Sequence, residues 1–577
     1  MHYKVVKRHA FLCMIVFVFT LSWFFQSSLL LNTDVSWLLE ASKRMLSGGN
    51  YTNDFFENNP PWILYFYTPP VLFEKIFSIS IILSMRMYVF LLAAISLGIS
   101  HYLLKHVFLK ADIFLAKLLL VILAIVFLIF PMADFGQREH LLFLLMMPYF
   151  FMMALRLQDQ QIAHLPAFII GLLAGSVLMM KPYFFMTLIL VEGYYLLGAS
   201  EAGRRDLTRP EIFAIILLLI IYLTILFLRH ADYLNRVMPF ALRWCYLGAR
   251  RPWAIVLVNI PTISCLLSFF FYIATYDINR YKYLTNILLL GLLGFIFSYV
   301  IQQEDYPYHI LPATSASIII DLILLGIYTT TPGKPGYIYV FMGIFLLIIS
   351  VFINNIKDMI YFDIMLHPLI FLCYLTSVFV SIRYLNVEKN KRNYLMMTLL
   401  GILIFFIPFY DALLRYDLLK KRQVNSEKLI AYINSNAPHQ SIYFFTTNIA
   451  HAFPIITYSH DTTSSSRFSY FWALPGLLKQ SSLPMDNKLQ SLLSKDKNFL
   501  IDMVADDLSV KKPELVFIDV LDRKNSLGLI PFNYLDYFAE NQKFNTVWKN
   551  YRYLTTISAS TYKFSIYNLE FGQSHMQ

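Results

Sequence analysis

The sequence is poor in charge: 14% of its 577 residues are Asp, Glu, Lys or Arg, where a soluble domain carries roughly a quarter. Cysteine is scarce too, with Cys13, Cys245, Cys265 and Cys373 and none after Tyr410. An exported tail would thus be held by its core and not by disulfides. No HExxH, HxxxH or CxxC spacing occurs, and no glycine-rich phosphate loop, so neither a zinc site of those patterns nor a nucleotide-binding enzyme is expected. Internal repeats and low-complexity linkers are also missing.

What is abundant is apolar: 58% of residues are hydrophobic and 17% aromatic. Apolar runs long enough for the hydrocarbon core recur from Phe11 to Tyr410 and then stop. We expect about thirteen spans, near 11–31, 85–104, 113–131, 141–156, 166–180, 183–198, 211–228, 254–276, 284–301, 310–328, 337–354, 365–382 and 394–411. The expected fold class is a polytopic α-helical membrane protein, residues 1–411, with a first external loop over 32–84 and an extracytoplasmic α/β domain over 412–577. The leader MHYKVVKRH suits a signal peptide, but its apolar run is too long and lacks a small-residue cleavage site, which predicts a retained helix. The net charge of +11 is scattered over membrane-flanking loops. Lipid head groups account for it, and no nucleic-acid partner is expected.

Loop charge sets the orientation. Lys4, Lys7 and Arg8, then Lys105 and Lys110, Arg204, Arg205 and Arg209, Arg280 and Lys282, and Arg383, Lys389, Lys391 and Arg392 fall on one side, which the positive-inside rule makes cytoplasmic. The chain is expected in a cytoplasmic (inner) membrane, its amino terminus inside and its tail outside. Four segments share the outer side with the tail: 32–84, the Asp134 cluster, Arg229 to Trp253, and QQEDYPYH. The third carries Arg229, Arg236, Arg243, Arg250 and Arg251 on the face that should lack them, so it either meets an anionic partner or marks a misassigned span.

The first outer segment opens with Asp34 at the end of span one, continues as an amphipathic pattern and stops at Gly48-Gly49. An interfacial helix is predicted, followed by an extended turn at Asn59-Pro60-Pro61. A carboxylate at this depth is costly unless paired or wetted, and so marks a site; the plainer role for Asp34 is to cap the helix. Asp134 sits likewise at the outer end of an odd-numbered span, just before FGQREH with its Arg138, Glu139 and His140. This cluster is either a solvated turn or one wall of a cavity. Lys181 precedes Pro182 between two apolar runs, placed for an anion or for snorkelling to the interface. His309, in YPYH, is a solvated turn residue or a contact to phosphate or sugar.

Asp34, the long first loop with its DFFENNPPW run, the acidic motif after the third span and the external tail together resemble the C-type (GT-C) glycosyltransferases, in the protein O-mannosyltransferase-like and lipid A aminoarabinose transferase-like branch. FGQREH and YPYHILPA read like motifs of its bacterial members. The resemblance implies an enzyme that moves a sugar from a polyprenyl-phosphate carrier to a glycan, lipid or protein acceptor, inverting the anomeric centre. It makes Asp34 and Asp134 the catalytic carboxylates, although Val35 stands where the family usually pairs Asp with Glu. The chemistry needs a base for the acceptor hydroxyl and cations for the leaving phosphate. For the phosphate the candidates are Arg138, Glu139, His140, Lys181, Arg243, Arg250, Arg251 and His309, Glu139 serving to hold Arg138. No cofactor is required; a divalent cation, Mg or Mn, would fall to Asp34 and Asp134. Competing readings are a lipid-linked sugar flippase or transporter, disfavoured by the absence of related halves, and an O-antigen ligase or polymerase-like enzyme, disfavoured by Asp34 and the long tail.

In the tail, SIYFFTT and ELVFIDV are strand-like between helical patterns, predicting a small α/β domain. SHDTTSSSRFSYFW is expected as an exposed loop or a sugar-facing one.

Overall fold

The computed structural model describes residues 2–109, 112–198, 208–257, 259–330, 416–437, 439–459, 462–528 and 530–570. The expected spans 337–354, 365–382 and 394–411, with Cys373, Arg383, Lys389, Lys391 and Arg392, lie outside these residues, as do Lys110, Arg204 and Arg205. The chain packs as two units. One comprises Met1–Leu29, Arg86–Ile220 and Arg251–Leu419, the other Leu30–Met85, Ile221–Arg250 and Lys420–Gln577.

The first unit is a helical bundle. Its elements are α1 (His2–Ser28), most of α5 (Ile81–Val107), α6 (Ile113–Leu128), α7 (Arg138–Leu157), α8 (His164–Leu178), α9 (Phe185–Leu197), the first half of α10 (Pro210–Arg229), α12 (Trp253–Leu257), α13 (Ile260–Thr275), α14 (Lys282–Gln302) and α15 (Pro307–Thr330). Among the described residues six helices are long and apolar enough to cross a membrane: α5, α7, α10, α14, and the stretches Phe11–Ser28 and Pro307–Leu324 of α1 and α15. α7 is enclosed on nearly every side, from Leu141 to Phe151, and is therefore the core of the bundle and not a lipid-facing helix. Gly294 lets α14 lie against α9, since a Cβ there would stand 2.5 Å from Thr187 Cα. Without a hydrophobic drive between helices in lipid, such close backbone approach supplies the packing.

Charge marks both ends of α7. At its carboxyl end Arg156 pairs with Glu211 at 3.0 Å, and Arg209 joins Glu211 at 3.2 Å and Glu192, all but Arg156 buried. At its amino end lie Arg138 and Glu139. Eighteen residues at the helical rise separate these clusters by about 27 Å, close to the hydrocarbon thickness.

The second unit contains α2 (Thr33–Leu46), α3 (Trp62–Phe66), α4 (Thr68–Phe77), the end of α10, α11 (Met238–Ala249) and the tail. α2 is the amphipathic helix the pattern predicts, burying Val35, Trp37, Leu38, Leu39 and Ala41. Its cap is Asn32, whose side chain accepts from the Asp34 and Val35 amides, so Asp34 sits in the first turn and does not supply the cap. The tail forms a five-stranded sheet of order β2-β1-β3-β5-β4, with β1 (Ser441–Phe445), β2 (Thr463–Ser464) and β3 (Leu515–Asp519) parallel and β4 (Tyr551–Ala559) and β5 (Tyr562–Leu569) antiparallel. SIYFFTT and ELVFIDV are β1 and β3, central and buried.

Within the segment expected as a loop over 459–472, the stretch from Ser465 to Trp472 is largely enclosed. Ser465, Ser466, Arg467, Phe468, Ser469, Phe471 and Trp472 are buried. Arg467 pairs with Asp507 at 3.0 Å and donates to Thr52 O at 2.9 Å, the Trp472 indole donates to Phe56 O at 3.2 Å, and Phe56 stacks on Trp472. Polar and aromatic residues mix here because they join the tail to the first loop within one core.

Candidate functional site

The turn before α7 is built by backbone preference. Gly136 adopts φ +83, which only glycine tolerates freely. Gln137 then takes an extended conformation and caps α7 at Arg138. Arg138, Glu139 and His140 follow in its first turn, each rotated about 100° from the last, so they face three directions. All are buried, at 4%, 0% and 1% exposure. A solvated turn is excluded.

Glu139 is the centre. Its Oε1 accepts from Lys181 Nζ at 2.6 Å and lies 3.8 Å from His309 Nε2, while its Oε2 is 4.0 Å from Arg138 Nε. Thus Glu139 holds Lys181 closest and Arg138, its expected partner, at longer range. Lys181 is extended (φ −144, ψ 132), as a residue before proline must be. That turns its chain inward: it is 5% exposed and also donates to Gln302 Oε1 at 3.2 Å. It does not snorkel. Tyr183 donates to the same Gln302 oxygen at 2.6 Å. His309, at the start of α15, is buried with Nδ1 3.7 Å from Glu304 Oε2, so it is no solvated turn residue. Tyr308 beside it lies under the Arg138 guanidinium, 6.0 Å from Cζ to the ring centre.

Two cations, two carboxylates and a histidine therefore converge from α7, the α8–α9 turn, and the α14–α15 turn. Removing charges from water costs several kcal/mol per ion even after relaxation. Such a cluster at a span end either pins these helices or keeps charge ready for an ionic ligand, and it can do both. Gln302, Glu304 and Tyr183 belong to it without having been singled out from sequence, although all three lie in or beside motifs that were.

Other expected site residues fall elsewhere. The His140 imidazole accepts from the Gly136 amide at 3.0 Å and donates to Phe127 O at 2.7 Å. Both nitrogens fasten the turn to α6, leaving none for phosphate. Arg243 pairs with Asp496 at 2.8 Å, and Trp244 donates to the same carboxylate at 2.7 Å, so Arg243 joins α11 to the tail in the second unit. Arg251 pairs with Asp305 at 3.1 Å in the first unit, and Arg250 is exposed at the end of α11. Asp34, in α2, and Asp134, ending the 3-10 turn Met132–Asp134, are both half-buried. Among the described residues no three His, Cys, Asp or Glu side chains group to hold a metal ion.

No family model matches the sequence, nor does any curated protein. Two solved structures match the fold: ArnT from Cupriavidus metallidurans bound to undecaprenyl phosphate, with a TM-score of 0.54, and the same protein in the apo state, at 0.55. Each is 12% identical to this chain, and the alignment covers 98% of both chains. The chain thus shares the overall fold of ArnT across the aligned length.

Proposed function

We propose that the protein is a polyprenyl-phosphate-sugar-dependent glycosyltransferase that moves a sugar, with inversion, onto a glycan, lipid or protein acceptor at the outer side of the cytoplasmic membrane. The observation that carries this reading is the buried cluster of Arg138, Glu139, Lys181 and His309 at one end of a bundle whose fold matches a protein crystallised with undecaprenyl phosphate. A leaving phosphate carries negative charge, and preformed cations in a dry site stabilise it far more than in water. Arg138 takes the phosphate; Glu139 keeps Lys181 and His309 in place and sets the charge balance. Asp34 accepts the proton of the acceptor hydroxyl, which makes the oxygen a nucleophile opposite the departing phosphate. Asp134 orients the acceptor.

Asp34→Asn tests the assignment. Purified protein is incubated with an envelope lipid extract, and mass spectrometry follows loss of a polyprenyl-phosphate-sugar and release of free polyprenyl phosphate. General base catalysis is worth about 10²- to 10⁴-fold, so the variant should fall by that factor while remaining folded. Turnover within a few-fold of the parent removes Asp34 from the role.

A further inference from the structure

The second unit carries a groove that the proposed reaction does not use. It holds about 490 Å³ between the loop after α2, at Asn50 and Asn53, and the end of α10 with the turn that follows it, at Leu228, Arg229, Asn235 and Arg236. The two sides are tied by the Thr52 amide, which donates to Asp232 at 3.2 Å. Asn235 and Arg236 lie on a π-helical turn, Tyr233–Val237; such wide turns recur at functional sites. Both arginines are exposed, and neither has a carboxylate at ion-pair distance among the described residues. Asp232 is the one acid lining the groove, so the wall is net positive.

The groove also lies at the end of an apolar helix. α10 is the most hydropathic of the candidate spans and ends at Arg229. Its last apolar side chains point outward, Phe227 64% and Leu228 81% exposed. Leu228 lines the groove, so acyl chains lying along α10 bring a head group between the guanidinium groups. Paired arginines hold phosphate through charge-assisted hydrogen bonds, and basic pockets beside spans take anionic head groups. A zwitterionic lipid would bring an ammonium against two cations, and free phosphate has no chains to cover Phe227 and Leu228.

We infer that this groove binds the head group of one anionic phospholipid from the surrounding leaflet, with Arg229 and Arg236 on its phosphate and the asparagine amides toward its polyol. The inference does not depend on the transferase reading. The test uses the intact purified protein, stripped of lipid in detergent, titrated with phosphatidylglycerol and read by native mass spectrometry. The parent should retain one phosphatidylglycerol that a tenfold excess of phosphatidylcholine or millimolar inorganic phosphate does not displace. Arg229→Gln/Arg236→Gln should retain one fewer, or hold it at least tenfold more weakly, with an unchanged thermal midpoint. Equal retention by the double variant overturns the inference. So does displacement by phosphatidylcholine or by inorganic phosphate, while displacement by undecaprenyl phosphate at equal concentration overturns it by giving the groove to the carrier.

Discussion

The Glu139 carboxylate separates two accounts of its neighbourhood. It compensates Lys181 at 2.6 Å with both groups out of solvent. Removing one partner of a buried pair leaves an uncompensated charge and typically costs about 3–5 kcal/mol. Glu139→Gln should therefore lower the unfolding midpoint of the detergent-solubilised protein by a margin of that order, and adding Lys181→Gln should restore most of the loss. A single variant as stable as the parent would mean that this lysine is hydrated. His140 differs from its neighbours in kind: it completes a turn, so His140→Ala should impair folding but not selectively the affinity for a phosphate ligand. That two adjacent residues divide in this way was not legible from REH, because which face each presents depends on where α7 begins. The proline after Lys181, in contrast, did announce an extended backbone, and the inward lysine follows from it.

Among the elements, α14 and the tail sheet make separate demands. Gly294→Val places branched carbons where a single Cβ would already meet Thr187 Cα at 2.5 Å. Overpacking costs typically about 1–3 kcal/mol, so thermal unfolding should shift down, and Gly98→Ala, with open space at its Cβ, should not. In the tail, burial pushes the Asp519 carboxyl up to about 6 and holds the His451 imidazole down to about 4. Between pH 4 and 6 the folded Asp519 keeps a proton that the unfolded chain has lost, so this group withdraws stability as pH rises. Over pH 4 to 6.5 the folded His451 is neutral while the unfolded one is charged, so it adds stability as pH rises. The two, 3.8 Å apart, act in opposite directions in the parent. Asp519→Asn should leave tail stability rising with pH across this window and His451→Gln should leave it falling, as read by exchange protection of β1 and β3 amides after correction for intrinsic rates; parallel profiles in both variants would contradict the assignment. The strands themselves were plain in the sequence as short apolar runs. The burial of 465–472 was not, since serines and an arginine look exposed until Asp507 and the Thr52 carbonyl are placed beside them.

For the molecule as a whole, the sequence showed the helical membrane part, the α/β tail and the layout shared with the GT-C fold. It could not show which distant segments meet. Arg243 finds Asp496 and Arg467 finds Thr52 across hundreds of residues, pairings that no local pattern encodes. Those contacts join the first loop, the segment after α10 and the tail, three stretches expected on one side of the membrane. The Glu139 to His309 approach likewise joins the other two segments expected there. The orientation expected from loop charge predicts that an alkaline phosphatase fused after Gln577 is active and that a cytoplasmic fluorescent reporter at that point stays dark. The proposed role of the Arg138 cluster is to receive a polyprenyl phosphate. It is tested most directly by titrating undecaprenyl phosphate into the purified parent and Arg138→Ala and reading ligand-dependent thermal stabilisation, which grows as RT ln(1 + [L]/Kd). The parent should be stabilised saturably and Arg138→Ala should need at least tenfold more ligand. A parent that undecaprenyl phosphate does not stabilise, or a variant that binds it equally well, would contradict the account.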